Sequence, residues 1–147
     1  MKASIQEVFC PSTLDGDNQW FCPVCKSLKD ATAEVKLTRA SEVLIVQLER
    51  FTQLGPNQFI KNDLRVSCDR EVSLIEKGPD PQVRQIYKLF AIIEHSGSYT
   101  DGHYTSFVSD RSSDKWFLCN DSVIKQTDLS LCKNPYVLFY VLKSFDA

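Results

Sequence analysis

The chain has 147 residues, 43% hydrophobic and 24% charged, enough for one domain with a real core and too balanced for disorder. A formal net charge of -2, with no cluster of Lys and Arg alternating with aromatics, gives no footprint for nucleic acid. No apolar run approaches a membrane span and Met1-Lys-Ala-Ser-Ile-Gln-Glu7 lacks an apolar signal core, so a cytoplasmic or nuclear chain without a membrane partner is expected, its six cysteines in a reducing compartment.

In chain order, Ser4-Ile-Gln-Glu7 has the form of a capping box and predicts a short helix over 5–9, ended at Pro11. Asn18 to Cys22 reads as extended and leads into Cys22-Pro-Val-Cys25, a tight turn whose two thiolates can chelate one zinc ion. A structural zinc wants four ligands. Cys10 is a candidate third, while Cys68, Cys119 and Cys132 are scattered, so Cys22 and Cys25 form half a metal site or a redox pair. A thioredoxin-type motif is not expected, since nothing resembling a βαβ unit surrounds the pair.

Ala33 to Arg39 alternates apolar and polar residues, as a strand with one wet face does. Val43 to Phe51 is nearly continuous apolar and predicts a central strand buried on both faces. After the turn Leu54-Gly-Pro-Asn57, Phe59-Ile60 and Leu64 to Ser67 are short strand candidates, and Glu76-Lys-Gly-Pro-Asp-Pro81 breaks the chain again. Tyr87 to Glu94 returns as a long strand leading to His95, and Pro135 to Leu142 closes the sheet. The expected class is mainly β with minor helix, an α+β chain built on an antiparallel sheet.

The chemistry concentrates between His95 and Val123. His103 to Ser109 and Lys115 to Asn120 are rich in aromatic and β-branched residues and read as the arms of a hairpin turning at Arg111-Ser-Ser-Asp114. Residues facing each other across such a turn have a constant sum of numbers. If Ser109 pairs with Asp114, His103 faces Asn120; if Asp110 pairs with Asp114, it faces Asp121. Either pairing sets a hydrogen-bonding side chain beside an imidazole. A histidine whose Nδ1–H is held in this way presents Nε2, ready to take a proton from a nucleophile and later return it.

These residues resemble a known family. Leu89-Phe-Ala-Ile-Ile-Glu-His95-Ser-Gly, Gly102-His103-Tyr104-Thr-Ser-Phe, Lys115-Trp116, Asn120-Asp121-Ser122-Val123 and Tyr136-Val-Leu-Phe-Tyr140 look like the C-terminal half of a ubiquitin-specific protease catalytic domain. Cys22-Pro-Val-Cys25 and Val43 to Phe51 resemble the same family in the same order, so the resemblance covers nearly the whole chain.

The resemblance implies a partial papain-like cysteine protease domain over 1–147, with a fingers remnant at about 1–40 and the palm at about 41–147, the helical thumb lying outside it. It implies catalytic roles for His103 and for Asn120 as its orienter, with Asp121 second. Gly102, Tyr104 and the loop from Ser96 would line a channel for ubiquitin's Gly-Gly tail, with His95 a channel wall or structural. No cofactor is needed for that chemistry, a structural zinc is expected if a second knuckle is supplied, and the expected partner is ubiquitin or a ubiquitinated protein. The family's nucleophile sits in an Asn-to-Cys box opening a long helix, and nothing in this chain resembles that box. Cys119 neighbours Asn120 on a strand and so points to the opposite face. Two readings result: the histidine-bearing half of a thiol-dependent deubiquitinase, inactive without its cysteine, or a non-catalytic ubiquitin- or protein-binding module. A strand set that expects a further half to cover it is also expected to be marginally stable alone.

Overall fold

The computed structural model describes residues 5–56, 58–76, 83–110 and 112–143. Ser4 of the capping box, Asn57, the breaker at 77–81 and Arg111 of the hairpin turn lie outside the described residues. The chain divides into two compact units, Met1–Ala40 with Leu74–Arg84, and Ser41–Ser73 with Gln85–Ala147. Among the described residues no helix is long and apolar enough to cross a membrane.

The first unit is made of short pieces. The expected helix is a five-residue 3-10 turn, Ile5–Phe9. β1 (Ser12–Leu14) pairs antiparallel with β4 (Ala31–Ala33), and β2 (Trp20–Cys22) with β3 (Ser27–Lys29). The strand expected over Ala33 to Arg39 is corrected: it stops at Ala33, and Val35 is 55% exposed. Alternation makes a strand only where a neighbouring edge supplies hydrogen bonds and a core takes the apolar face, and residues 34–40 have no ladder partner among the described residues.

The main sheet is built from β5 (Val43–Gln47), β8 (Glu71–Glu76), β9 (Val83–Gly97), β10 (Gly102–Ser109), β11 (Trp116–Asn120), β12 (Val123–Thr127) and β13 (Pro135–Leu142), and β5 and β10 to β13 lie wholly in the second unit. They run in the order β12-β11-β10-β9-β13-β5, with β8 pairing β9 off this path. A separate hairpin joins β6 (Phe51–Gly55) to β7 (Gln58–Lys61). Tyr87, Leu89, Ile92, Phe107, Trp116, Leu138 and Tyr140 are buried and form the core. The mostly β character agrees with the expected class.

Two expectations about this unit are corrected. Val43 to Phe51 is not a doubly buried central strand: β5 is an edge strand with Val43 43% and Ile45 60% exposed, and β13, expected at the sheet's end, lies between β5 and β9. The apolar run is broken by Arg50, whose guanidinium is buried and donates to the carbonyls of Pro135, Asn62 and Leu64 at 2.6–3.0 Å. Those bonds also hold 62–70 in an irregular course where Leu64 to Ser67 was expected to be a strand. A buried cation is tolerated because each of its three nitrogens donates to a carbonyl.

Ladder pairing between β9 and β13 slips twice. Pro135 faces Glu94 but Val137 faces Ile93, leaving Tyr136 as an extra residue on β13; Phe139 faces Ala91 but Tyr140 faces Leu89, leaving Phe90 extra on β9. Bulges of this kind re-aim side chains. At Phe90 the buried positions of β9 change from Tyr87 and Leu89 to Ile92, and at Tyr136 the phenol ring joins the rings of His95 and Tyr104.

Candidate active site

His103 enters the structure as the second residue of β10, where it faces Ser96 of β9. Across the hairpin, Ser109 pairs with Trp116 and Ser106 with Cys119, so the register differs by two residues from one expected pairing and by one from the other; the ladder ends there, and the same register carried onward would bring Ser122, not Asn120 or Asp121, opposite His103. Asn120, two residues away from that position, lies on the same face as a diagonal neighbour. Its side chain reaches the ring: His103 Nε2 lies 2.7 Å from Asn120 Oδ1. An amide oxygen only accepts, so Nε2 carries the proton. The nitrogens are thus exchanged relative to expectation, and Nδ1 is the one left outside this bond.

Asp121 is also near. Its carboxylate lies 3.9 Å from Nε2, beyond hydrogen-bond length and 80% exposed, while the His103 side chain is 50% exposed. The aspartate occupies a left-handed backbone position (φ 51°) in the two-residue turn between β11 and β12, a conformation Asp adopts more readily than most residues. β12 is thereby the element that fixes Asn120, which pairs with Val123, and nothing in the residue pattern announces that strand.

The second histidine lies on the opposite face. His95 faces Tyr104, and strand alternation separates both from His103. It is 5% exposed and packs against Phe51, Tyr104 and Tyr136 at ring centroid distances of 5.5, 4.7 and 6.1 Å. Its Nδ1 is buried without a hydrogen-bond partner among the described residues. Burial first, and the Lys61 cation second, hold its pKa below the usual imidazole value, against an opposing pull from Asp63. Burial thus disfavours the charged form of His95. Gly102 exists in this form because of it: a Cβ at Gly102 would overlap the imidazole, with Cε1 only 2.7 Å away and Ser96 O at 2.8 Å.

Tyr104 is 57% exposed and, with Ile93, Ser106, Cys119, Asp121 and Tyr136, lines an open cleft of about 400 Å³. Cys119 faces Ser106 and belongs to this cleft, on the strand face opposite Asn120, as alternation requires. Cys68 and Cys132 share a hydrogen bond that lowers the first thiol's pKa and, with burial and Glu94, raises the second's.

Cys22 and Cys25 frame the β2–β3 turn. The amides of Cys25 and Val24 point at Cys22 Sγ, the former at 3.5 Å, and these bonds lower its pKa, which favours the thiolate a metal needs. Among the described residues no group of three or more His, Cys, Asp or Glu side chains could hold a metal. Two sulfurs fill half a tetrahedral shell, so the residues present do not by themselves fit a closed zinc site.

A mostly antiparallel β-sheet carrying a histidine–asparagine pair at its rim is part of a papain-like α+β domain. The chain belongs to the ubiquitin carboxyl-terminal hydrolase family, whose model matches residues 1–140. It is similar to ubiquitin carboxyl-terminal hydrolase 25 of Arabidopsis thaliana, 34% identical over 95% of this chain and 21% of that protein. It is 29% identical to the human inactive ubiquitin carboxyl-terminal hydrolase 17-like protein 7, over 98% of this chain and 27% of that protein. Among solved structures it resembles a chain of the SAGA Ubp8/Sgf11/Sus1/Sgf73 DUB module bound to ubiquitin aldehyde, with a TM-score of 0.76 and 26% identity, covering 95% of this chain and 32% of that one. The chain thus spans about a fifth to a third of the length of these relatives.

Proposed function

We propose that this chain is the histidine-bearing half of a thiol-dependent deubiquitinase, hydrolysing the isopeptide bond after ubiquitin's C-terminal glycine with a cysteine supplied by a segment outside these 147 residues. The observation that carries it is the 2.7 Å contact from His103 Nε2 to Asn120 Oδ1. Asn120 holds the ring in the Nε2–H tautomer, so Nδ1 takes the thiol proton. The thiolate attacks the glycine carbonyl carbon, the C–N bond breaks, and the imidazolium gives its proton to the departing lysine amine. Water then loses a proton to Nδ1 and attacks the thioester; the C–S bond breaks and the sulfur regains its proton. Asn120 serves without a charge because a thiol ionises more easily than a hydroxyl. Asp121, 80% exposed, is the secondary partner. Tyr104, Gly102 and His95 wall the tail channel, Gly102 being held to glycine by the His95 ring packed against it.

The second reading is a ubiquitin-binding module without chemistry. It is favoured by a relative whose name declares it inactive. The test is reaction with ubiquitin carrying a C-terminal vinyl electrophile. The deubiquitinase reading expects no adduct on the chain alone and an adduct when the cysteine-bearing half of a relative is added. Full activity of such a pair after His103→Ala would refute the assignment.

A further inference from the structure

β13 pairs with β9 only as far as Pro135 opposite Glu94. Beyond that point β9 continues to Gly97. The His95 amide points to the β13 side, donating to Asn134 O at 3.4 Å, and a strand residue's carbonyl points the same way as its amide. The carbonyls of His95 and Gly97 therefore project past the last rung of the ladder, where backbone acceptors need another donor. Lys61, the final residue of β7, supplies it: Nζ donates to His95 O at 2.8 Å and to Gly97 O at 3.0 Å. Its side chain is only 10% exposed, and the exposed Asp63 carboxylate lies 3.5 Å from Nζ.

The same hairpin also grips the turn beyond β9. Phe59 of β7 stacks on Tyr99 with ring centroids 3.9 Å apart and planes 16° from parallel, and Phe51 of β6 meets Tyr99 edge-on at 5.7 Å. Tyr99 lies in the turn 98–101, which is closed by Ser98 N to Asp101 O at 2.7 Å. The turn begins at Gly97, whose φ of 101° suits glycine alone, and a Cβ there would stand 2.7 Å from Gly102 Cα. The first residue after this closed path is Gly102, and the next is His103.

We propose that Lys61 is a positioning residue for the His103 site: by tying the two carbonyls at the end of β9 it fixes the 97–102 turn and so the ring's approach to Asn120. This deepens the deubiquitinase reading and rests on it for its catalytic meaning, but the geometry it predicts is measurable without turnover. Lys61 acts through the backbone and touches neither imidazole nitrogen in this arrangement, which distinguishes it from Asn120.

The test is nitrogen-15 NMR on the 147-residue chain, whose histidines number two. His103 is assigned by the signal that disappears in His103→Ala. The native chain is expected to show the Nε2–H tautomer at His103 and a protected Ser98 amide. In Lys61→Met, Ser98 exchange is expected to accelerate by about tenfold while core amides such as Ile92 and Phe107 stay protected, and the His103 ring nitrogens move toward tautomer averaging. Lys61→Arg, which keeps a cation able to reach both carbonyls, restores the native pattern. Unchanged Ser98 exchange and an unchanged His103 tautomer in Lys61→Met would overturn the proposal. Loss of the whole fold in both Lys61→Met and Lys61→Gln would overturn it equally, because Lys61 would then be a general folding residue. Failure of the electrophile assay with these NMR results intact would instead strike the deubiquitinase reading.

Discussion

His95 and His103 are the chain's only histidines, and they sit on adjacent strands joined by one turn. One is 5% exposed with a ring nitrogen that has no hydrogen-bond partner among the described residues, wedged among three aromatic rings; the other has a half-exposed side chain and bonds an amide. An odd number of places along a pleated ladder separates a ring whose charging is penalised by burial from a half-exposed ring that bonds an amide oxygen. The contrast shows that the face of the sheet a histidine occupies sets its surroundings, enclosed by rings on one side and open to solvent on the other.

That contrast can be broken most sharply at the exposed ring. With a cysteine-bearing half supplied, His103→Ala is expected to lower kcat by about 10²–10⁴-fold, the usual worth of a positioned acid/base. His95→Asn should spare most of kcat if the two rings differ as described. Asn120→Ala is expected to cost less, about 10–100-fold, the worth of one hydrogen bond to a group that becomes charged; Asn120→Asp should retain more activity than Asn120→Ala. Steady-state cleavage of a fluorogenic ubiquitin substrate measures each.

At the buried ring the readout is stability. Gly102→Ala forces a methyl group into the His95 imidazole and the Ser96 carbonyl, and the melting temperature should fall by the equivalent of about 1–3 kcal/mol. The smallest effect is on pH dependence. Because burial and Lys61 depress the pKa of His95 in the fold, the unfolded chain binds a proton first on acidification. The stability this neutral ring contributes is fully present above the ordinary histidine value of about 6.5 and is lost as pH falls through the lower folded value. Thermal melts from pH 7.5 downward should therefore decline less steeply in His95→Leu than in the native chain.

Local chemistry made the site readable: a glycine, a histidine and an aromatic before a β-branched run, then a turn, then Asn120-Asp121. The pairing of His103 with Asn120 was legible as a neighbourhood but not as a register. The expected turn closed at Asp114 against Ser109 or Asp110, whereas Asp114 takes φ 52° and donates its amide to Asp110 O at 3.1 Å, lengthening the loop. Relative to the Ser109–Asp114 pairing the register moves by two residues, an even offset that leaves Asn120 on the His103 face; relative to Asp110–Asp114 it moves by one. β12 was not legible because Val123 to Thr127 is short and does not alternate, its two apolar residues Val123 and Ile124 both standing exposed on an edge strand held by hydrogen bonds rather than by burial. Arg50 was hidden for the opposite reason: a charged residue in an apolar run reads as a surface position, and its buried role depends on carbonyls from residues far along the chain. Lys61 shares that property, since its acceptors lie 34 and 36 residues away.

The two ladder slips between β9 and β13 have opposite senses, an insertion on one strand at Tyr136 and on the other at Phe90. They cancel, so only the short window from Ala91 to Ile93 against Val137 to Phe139 is out of step with the rungs above and below it. Shortening either strand alone by that residue would leave the other's surplus uncompensated and invert the inward and outward sides of everything beyond it. Shortening both would restore step along the whole ladder. The length of each strand is thus legislated by the other, and evolutionary change at the pair is expected to be simultaneous or not at all.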